Sequence, residues 1–240
     1  MTQTLLGVLT PSSNTVLEPV TSAIVSELPN TSAHFGRFEV TEISNAPSSQ
    51  AQFTIDKQLA AAHLLAHARV GSIVWSGTAA SWLGFDKDEH LCAEITRATG
   101  IAAGSSVLAV NELFARHEVK RFGLVTPYID EIQEAIIQNY AASGFECIAE
   151  RHMGEHRNFE FAQFSEERVA GLIREVAASK PDAITVMCTN MRGATQAAAL
   201  EEELGIPIID STSAAVWTGL RLAGGDPAQV TGWGRLFGNP

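Results

Sequence analysis

Residues 122–136, FGLVTPYIDEIQEAI, repeat the pattern of residues 6–20, LGVLTPSSNTVLEPV: a glycine, a short apolar run closed by Thr-Pro, then the opening of a helix-period stretch. Two more pairs follow in the same order. SIVWSGT (72–78) lies over AITVMCT (183–189), with Gly77 matched to Cys188, and GIAAGSS (100–106) lies over GIPIIDS (205–211). Short β-rich runs at 4–10, 72–76, 121–126, 183–188 and 206–210 alternate with helical patterns near 15–28, 52–69, 86–99, 106–117, 129–143, 165–178, 191–204 and 212–223. Such alternation reads as parallel sheet covered by helices.

The expected fold is therefore α/β, with two pseudo-symmetric lobes over 1–115 and 116–240. Each lobe is expected to hold a four-stranded parallel sheet flanked by helices, with an active site in the cleft between them. The helix closing the first lobe can cross to the second, and the last helix and tail can pack on the first. No linker rich in Pro, Gly or Ser separates the halves, so a tight interface is expected.

Charge narrows the partners. The 240 residues carry 27 acidic and 16 basic side chains, a net charge of -11, which argues against a nucleic-acid backbone as ligand. No run approaches the roughly 18 apolar residues of a membrane span, and MTQTLLGVLT lacks the basic start of a signal peptide. A cytoplasmic protein is expected. Cys92, Cys147 and Cys188 are odd in number and unclustered, which fits a reducing compartment and gives no metal spacing. Cys92 and Cys147 read as small buried hydrophobes. His152 and His156 stand four apart, but Gly154 lies between them and no third ligand is evident, so no metal is expected. The phosphate-cradling glycine patterns and the G-x-S-x-G serine context are both missing.

In parallel sheets, ligands bind beyond the carboxyl ends of the strands. Four loops should converge there: PSSNT (11–15), SGTAAS (76–81), TPYID (126–130) and CTNMRG (188–193). Their small residues, hydroxyls and amides suit an anion, because backbone N–H groups cluster at such turns.

GVLTPSSNT, GTAAS, TPYIDE, CTNMRG and the tail STSAAVWTGLRLAGG with GWGRLFG resemble the aspartate/glutamate racemase superfamily, in its branch of arylmalonate decarboxylases and maleate cis-trans isomerases. The resemblance covers nearly the whole chain. It implies a site without a cofactor between two lobes, where up to two cysteines face each other across a small dicarboxylic acid. Racemases and isomerases use both cysteines; decarboxylases resembling this chain keep the second and have glycine at the first. Gly77 and Cys188 match the decarboxylase pattern, while PSSN looks more like the isomerases.

The chemistry agrees with the pattern. Glycine is neither acid nor base, so two-sided proton exchange lacks one partner. Decarboxylation of a malonate-type acid needs only donors where enediolate charge grows and one proton source. The resemblance implies Cys188 as proton donor, with Thr78 and Tyr128 as catalytic hydroxyls. Pro11, Ser12, Asn14, Gly77, Ala79, Asn158, Thr189 and Asn190 are the expected substrate-binding residues. Asn14 also suits a helix N-cap, and Thr78 a turn cap. A helix beginning just after Cys188 would lower its pKa. Ala79 replaces a serine common beside the donor threonine, and Arg157 and Asn158 stand where an apolar wall is expected, which points to a more polar substrate. Replacing Gly77 by Cys should then introduce racemisation. An isomerase of an unsaturated dicarboxylate and a non-catalytic carboxylate binder are the alternatives; oligomeric state stays open.

Overall fold

The computed structural model describes residues 3–44 and 46–238. Eight strands form two four-stranded sheets. The first contains β1 (Thr4–Pro11), β2 (Thr31–Phe38), β3 (Ser72–Trp75) and β4 (Ala103–Ser105), in the order β2-β1-β3-β4. The second contains β5 (Arg121–Val125), β6 (Glu146–Arg151), β7 (Ala183–Val186) and β8 (Ile208–Asp210), in the matching order β6-β5-β7-β8. All pairings within the two sheets are parallel.

The repeat holds at the level of register. Gly7 pairs with Ile73 in the first sheet and Gly123 with Ile184 in the second. Trp75 pairs with Ser105 as Val186 pairs with Asp210, so Gly77 and Cys188 stand two residues beyond equivalent strand ends. Gly100 and Gly205 close equivalent helices, Phe85–Thr99 and Ala197–Leu204, with φ of 73° and 71°. That left-handed conformation lets each N–H return to the helix and is cheap only without a Cβ.

Strands β2, β4 and β6 escape the apolar pattern. β2 and β6 are sheet edges whose residues are mostly half-buried, and β4 is only Ala-Gly-Ser. An edge strand faces solvent along much of its length and needs no continuous apolar run.

Helices bind the halves together. Ser211–Leu222 packs on β3 and β4 of the first sheet and on helix Ser106–Arg116. Ser72 Oγ donates to the Gly219 carbonyl at 2.9 Å across this contact. Phe114, from helix Ser106–Arg116, meets Phe122 of β5 at 5.3 Å and Phe145 at 5.4 Å between ring centroids. One apolar core therefore draws on both sheets. Among the described residues, no helix is long and apolar enough to cross a membrane.

Candidate active site

The turns after β1, β3, β5 and β7 converge on one small, partly closed cavity. Its lining includes Pro11, Gly77, Thr78, Ala79, Tyr128, Asn158, Cys188 and Thr189. Thr78 Oγ1 and the Tyr128 hydroxyl lie 2.7 Å apart, and the same Tyr128 hydroxyl faces the Cys188 thiol. Tyr128 thus stands between a hydroxyl of the first lobe and the thiol of the second. The N–H groups of Ala79 and Thr189 donate to no backbone carbonyl among the described residues.

The thiol is buried, and that burial pushes Cys188 up to about 12, with the nearby carboxyl of Asp210 acting in the same direction. The Tyr128 hydroxyl and the N–H groups of Asn190 and Met191 pull the other way without overcoming desolvation. This corrects the expectation of a lowered pKa. No helix begins at Cys188: a 3₁₀ turn spans Ala194–Gln196 and the α-helix starts only at Ala197. Tyr128 is likewise held well above the usual phenol range, first by burial and then by Cys188. At neutral pH the cavity presents a neutral thiol and neutral hydroxyls.

Three expected binding groups are spent elsewhere. Asn14 Oδ1 accepts the N–H groups of Val16 and Leu17 at 2.9 Å each, while its Nδ2 donates to Thr189 Oγ1 at 3.2 Å. Asn190 Oδ1 accepts the Thr15 N–H and its Nδ2 donates to the Asn158 carbonyl. Ser12 Oγ accepts the Val40 N–H at 3.1 Å. None of the three lines the cavity. Asn14, Thr15 and Ser13 instead stitch the first lobe to Thr189, Asn190 and Asn158 of the second.

The wall differs from the expected polar one. Arg157 points to solvent and pairs with Glu155 at 2.9 Å, leaving only Asn158 of that loop on the cavity. The remaining wall is Val40, Ile43, Phe53, Trp75 and Trp82, and Trp82 meets Tyr128 at 5.2 Å between ring centroids. Sequence reasoning missed these five: Val40 and Ile43 lie in a stretch between regular elements, and Phe53 sits in a helical turn, Ala51–Phe53, that carries no motif. Trp75 sits inside a strand run and reads as core.

Trp75 also changes the meaning of Gly77. A Cβ built on Gly77 would fall 2.1 Å from Trp75 Cζ2 and 2.4 Å from Cη2. The space a first cysteine would use is filled by indole, so a Cys exchanged for Gly77 is expected to face Cys188 only if the Trp75 ring moves aside. A larger cavity adjoins this one, but Thr78, Tyr128 and Cys188 do not line it.

A family model described as arylmalonate decarboxylase matches residues 16–237. The chain belongs to this family. A maleate isomerase from Nocardia farcinica is 26% identical over 240 residues, spanning 97% of this chain and 94% of that protein. An arylmalonate decarboxylase from Bordetella bronchiseptica is 27% identical over 149 residues, 61% of this chain and 62% of that one. Among solved structures, the Nocardia farcinica maleate cis-trans isomerase with a covalently bound succinylcysteine intermediate, a mutant form, superposes with a TM-score of 0.90 at 24% identity over 98% of each chain. An arylmalonate decarboxylase gives 0.78 at 21% identity over 97% of this chain and 98% of that one. At such identities these structures establish the shared fold. Family members with these names are enzymes, decarboxylases or isomerases.

Proposed function

We propose that the protein is a cofactor-independent decarboxylase of a small malonate-type dicarboxylic acid. One observation carries this reading: a single protonated thiol, Cys188, shares the cavity with the Thr78 and Tyr128 hydroxyls, while Trp75 fills the place of a second reactive group beside Gly77. One carboxylate of the substrate lies against Thr78, Tyr128 and the N–H groups of Ala79 and Thr189. The other enters the apolar wall of Val40, Ile43, Phe53 and Trp82, where lost hydration raises its energy.

The bond between the α-carbon and that carboxylate breaks and carbon dioxide leaves. The electron pair passes into an enediolate on the retained carboxyl, held by hydroxyl and N–H donors. Cys188 delivers its S–H proton to the α-carbon, and water reprotonates the thiolate. A thiol near 12 is a weak acid, yet it is far stronger than the C–H bond it forms, so the transfer runs downhill. A thiol held neutral is also poorly suited to begin as a nucleophile.

The second reading is isomerisation of an unsaturated dicarboxylate, favoured by the likeness to a maleate isomerase along 97% of this chain. Incubation with methylmalonate and with maleate in deuterated water, followed by NMR, separates the two. Carbon dioxide with one deuterium at the α-carbon is expected. Fumarate without carbon dioxide release would replace the first reading by the second.

A further inference from the structure

Phe53, Trp75 and Ala79 line both the site cavity and its larger neighbour. Beyond this shared wall the neighbouring space runs over Ile55, Leu83 and Leu91 to the buried side chain of Gln58. Trp75 is 1% exposed, and its ring is braced by Phe38 at 5.0 Å and by Phe53 at 6.5 Å between centroids. The indole edge lies over Gly77, on the first-lobe wall of the cavity that also holds Cys188. A ligand held by Thr78 and Tyr128 with its α-carbon at Cys188 therefore meets indole where a bulky substituent would have to extend.

We infer that Trp75 is a specificity-determining partition: it limits the acid to a small α-substituent and shuts off an apolar extension that an aryl group would otherwise occupy. The inference rests on reading this cavity as the dicarboxylate site. Three features support it: the two cavities meet at this side chain, its ring fills the space beside the glycine that matches Cys188, and the space behind it offers Ile55, Leu83 and Leu91 to a ring, with Lys87, Asp88 and His90 also on its lining. Gly77 and Trp75 thereby act as a pair. The glycine admits the indole, and the indole closes the wall.

The test compares wild type with Trp75→Leu, using methylmalonate and phenylmalonate. Calorimetry measures the two dissociation constants, NMR measures carbon dioxide release and the split between kcat and KM, and a crystal structure locates the phenyl ring. Wild type should prefer methylmalonate by at least tenfold. Trp75→Leu should shift that preference at least tenfold toward phenylmalonate, mainly through KM, with the ring lying between Phe53 and Leu91. If Trp75→Leu does not fold, Trp75→Phe takes its place, with a smaller shift expected in the same direction. An unchanged preference in a folded variant, or a phenyl ring lodged away from Leu91, overturns the partition while leaving decarboxylation intact. A shifted binding preference without carbon dioxide release overturns decarboxylation and leaves the partition standing. Binding of neither acid to either protein overturns both.

Discussion

The turns after β3 and β7 occupy equivalent places in two sheets of identical strand order, yet they present opposite surfaces. The first offers Gly77, the Thr78 hydroxyl and an indole edge; the second offers the Cys188 thiol, in a turn closed by the Met191 N–H donating to the Cys188 carbonyl at 3.1 Å. The difference teaches that duplication fixes where groups can stand, while the two copies are free to carry different chemistry. A symmetric pair of acids would exchange protons from both faces. On the proposed reading, one wall supplies the proton and the other supplies shape.

The strongest way to break this comparison is to remove the acid. Cys188→Ala should lower product formation by about 10³-fold with circular dichroism unchanged, in the range expected for a general acid. Turnover at the wild-type rate would remove Cys188 from the chemistry. Next in size, Thr78→Val should cost about 10²-fold in kcat, as for loss of one donor to a developing oxyanion. An effect confined to KM would mean that Thr78 binds the ground state and the transition state alike.

A third substitution tests the shape of the first wall. Gly77→Cys forces a side chain into indole and should destabilise the protein by about 1–3 kcal/mol, read by thermal unfolding. Trp75→Val in the same chain should recover part of that loss, a non-additive result that only neighbouring side chains give. A Gly77→Cys variant as stable as wild type would place the indole elsewhere.

The smallest expected effect concerns two buried acids, one in each lobe. Asp88 and Asp210 are both pushed up to about 7 by burial, and an oxygen of each lacks a partner among the described residues. Asp210 Oδ1 nevertheless accepts the N–H groups of Thr212 and Ser213, capping helix Ser211–Leu222, while the partner of Asp88 is the Ser105 side chain. With a raised pKa in the folded state, each carboxyl contributes stability that is fully present below about pH 4 and lost as pH rises through about 7. Asp88→Asn removes the ionisation and should raise stability at pH 8 by roughly 2 kcal/mol, with little change at pH 4. Denaturant melts at both values check it; equal shifts would mean that charge burial is not the cause.

The place of the candidate site was legible because turn chemistry is local and the repeat put the four loops at the same end of two sheets. Within those loops the resemblance, not the local pattern, singled out Thr78, Tyr128 and Cys188, and the fold brings all three to one cavity. The internal partners of the amides were not legible, for a physical reason. An asparagine can cap, bind a ligand or bridge two segments with the same atoms, and Asn14 and Asn190 were taken up by partners more than 170 residues distant. Arg157 faced outward because Glu155 and Glu160 hold it there.

By itself the sequence determined the alternation of strands and helices, the duplication, and the presence of one thiol where two are possible. These follow from local periodicity and from residue type, which need no knowledge of distant neighbours. Tertiary structure alone decided that Trp75 lies over Gly77, that Asn14 is committed to welding the lobes, and that burial keeps Cys188 protonated. Each depends on which atoms fill a given volume and on how much water is excluded from it. Packing sets both, and packing joins residues that the chain keeps far apart.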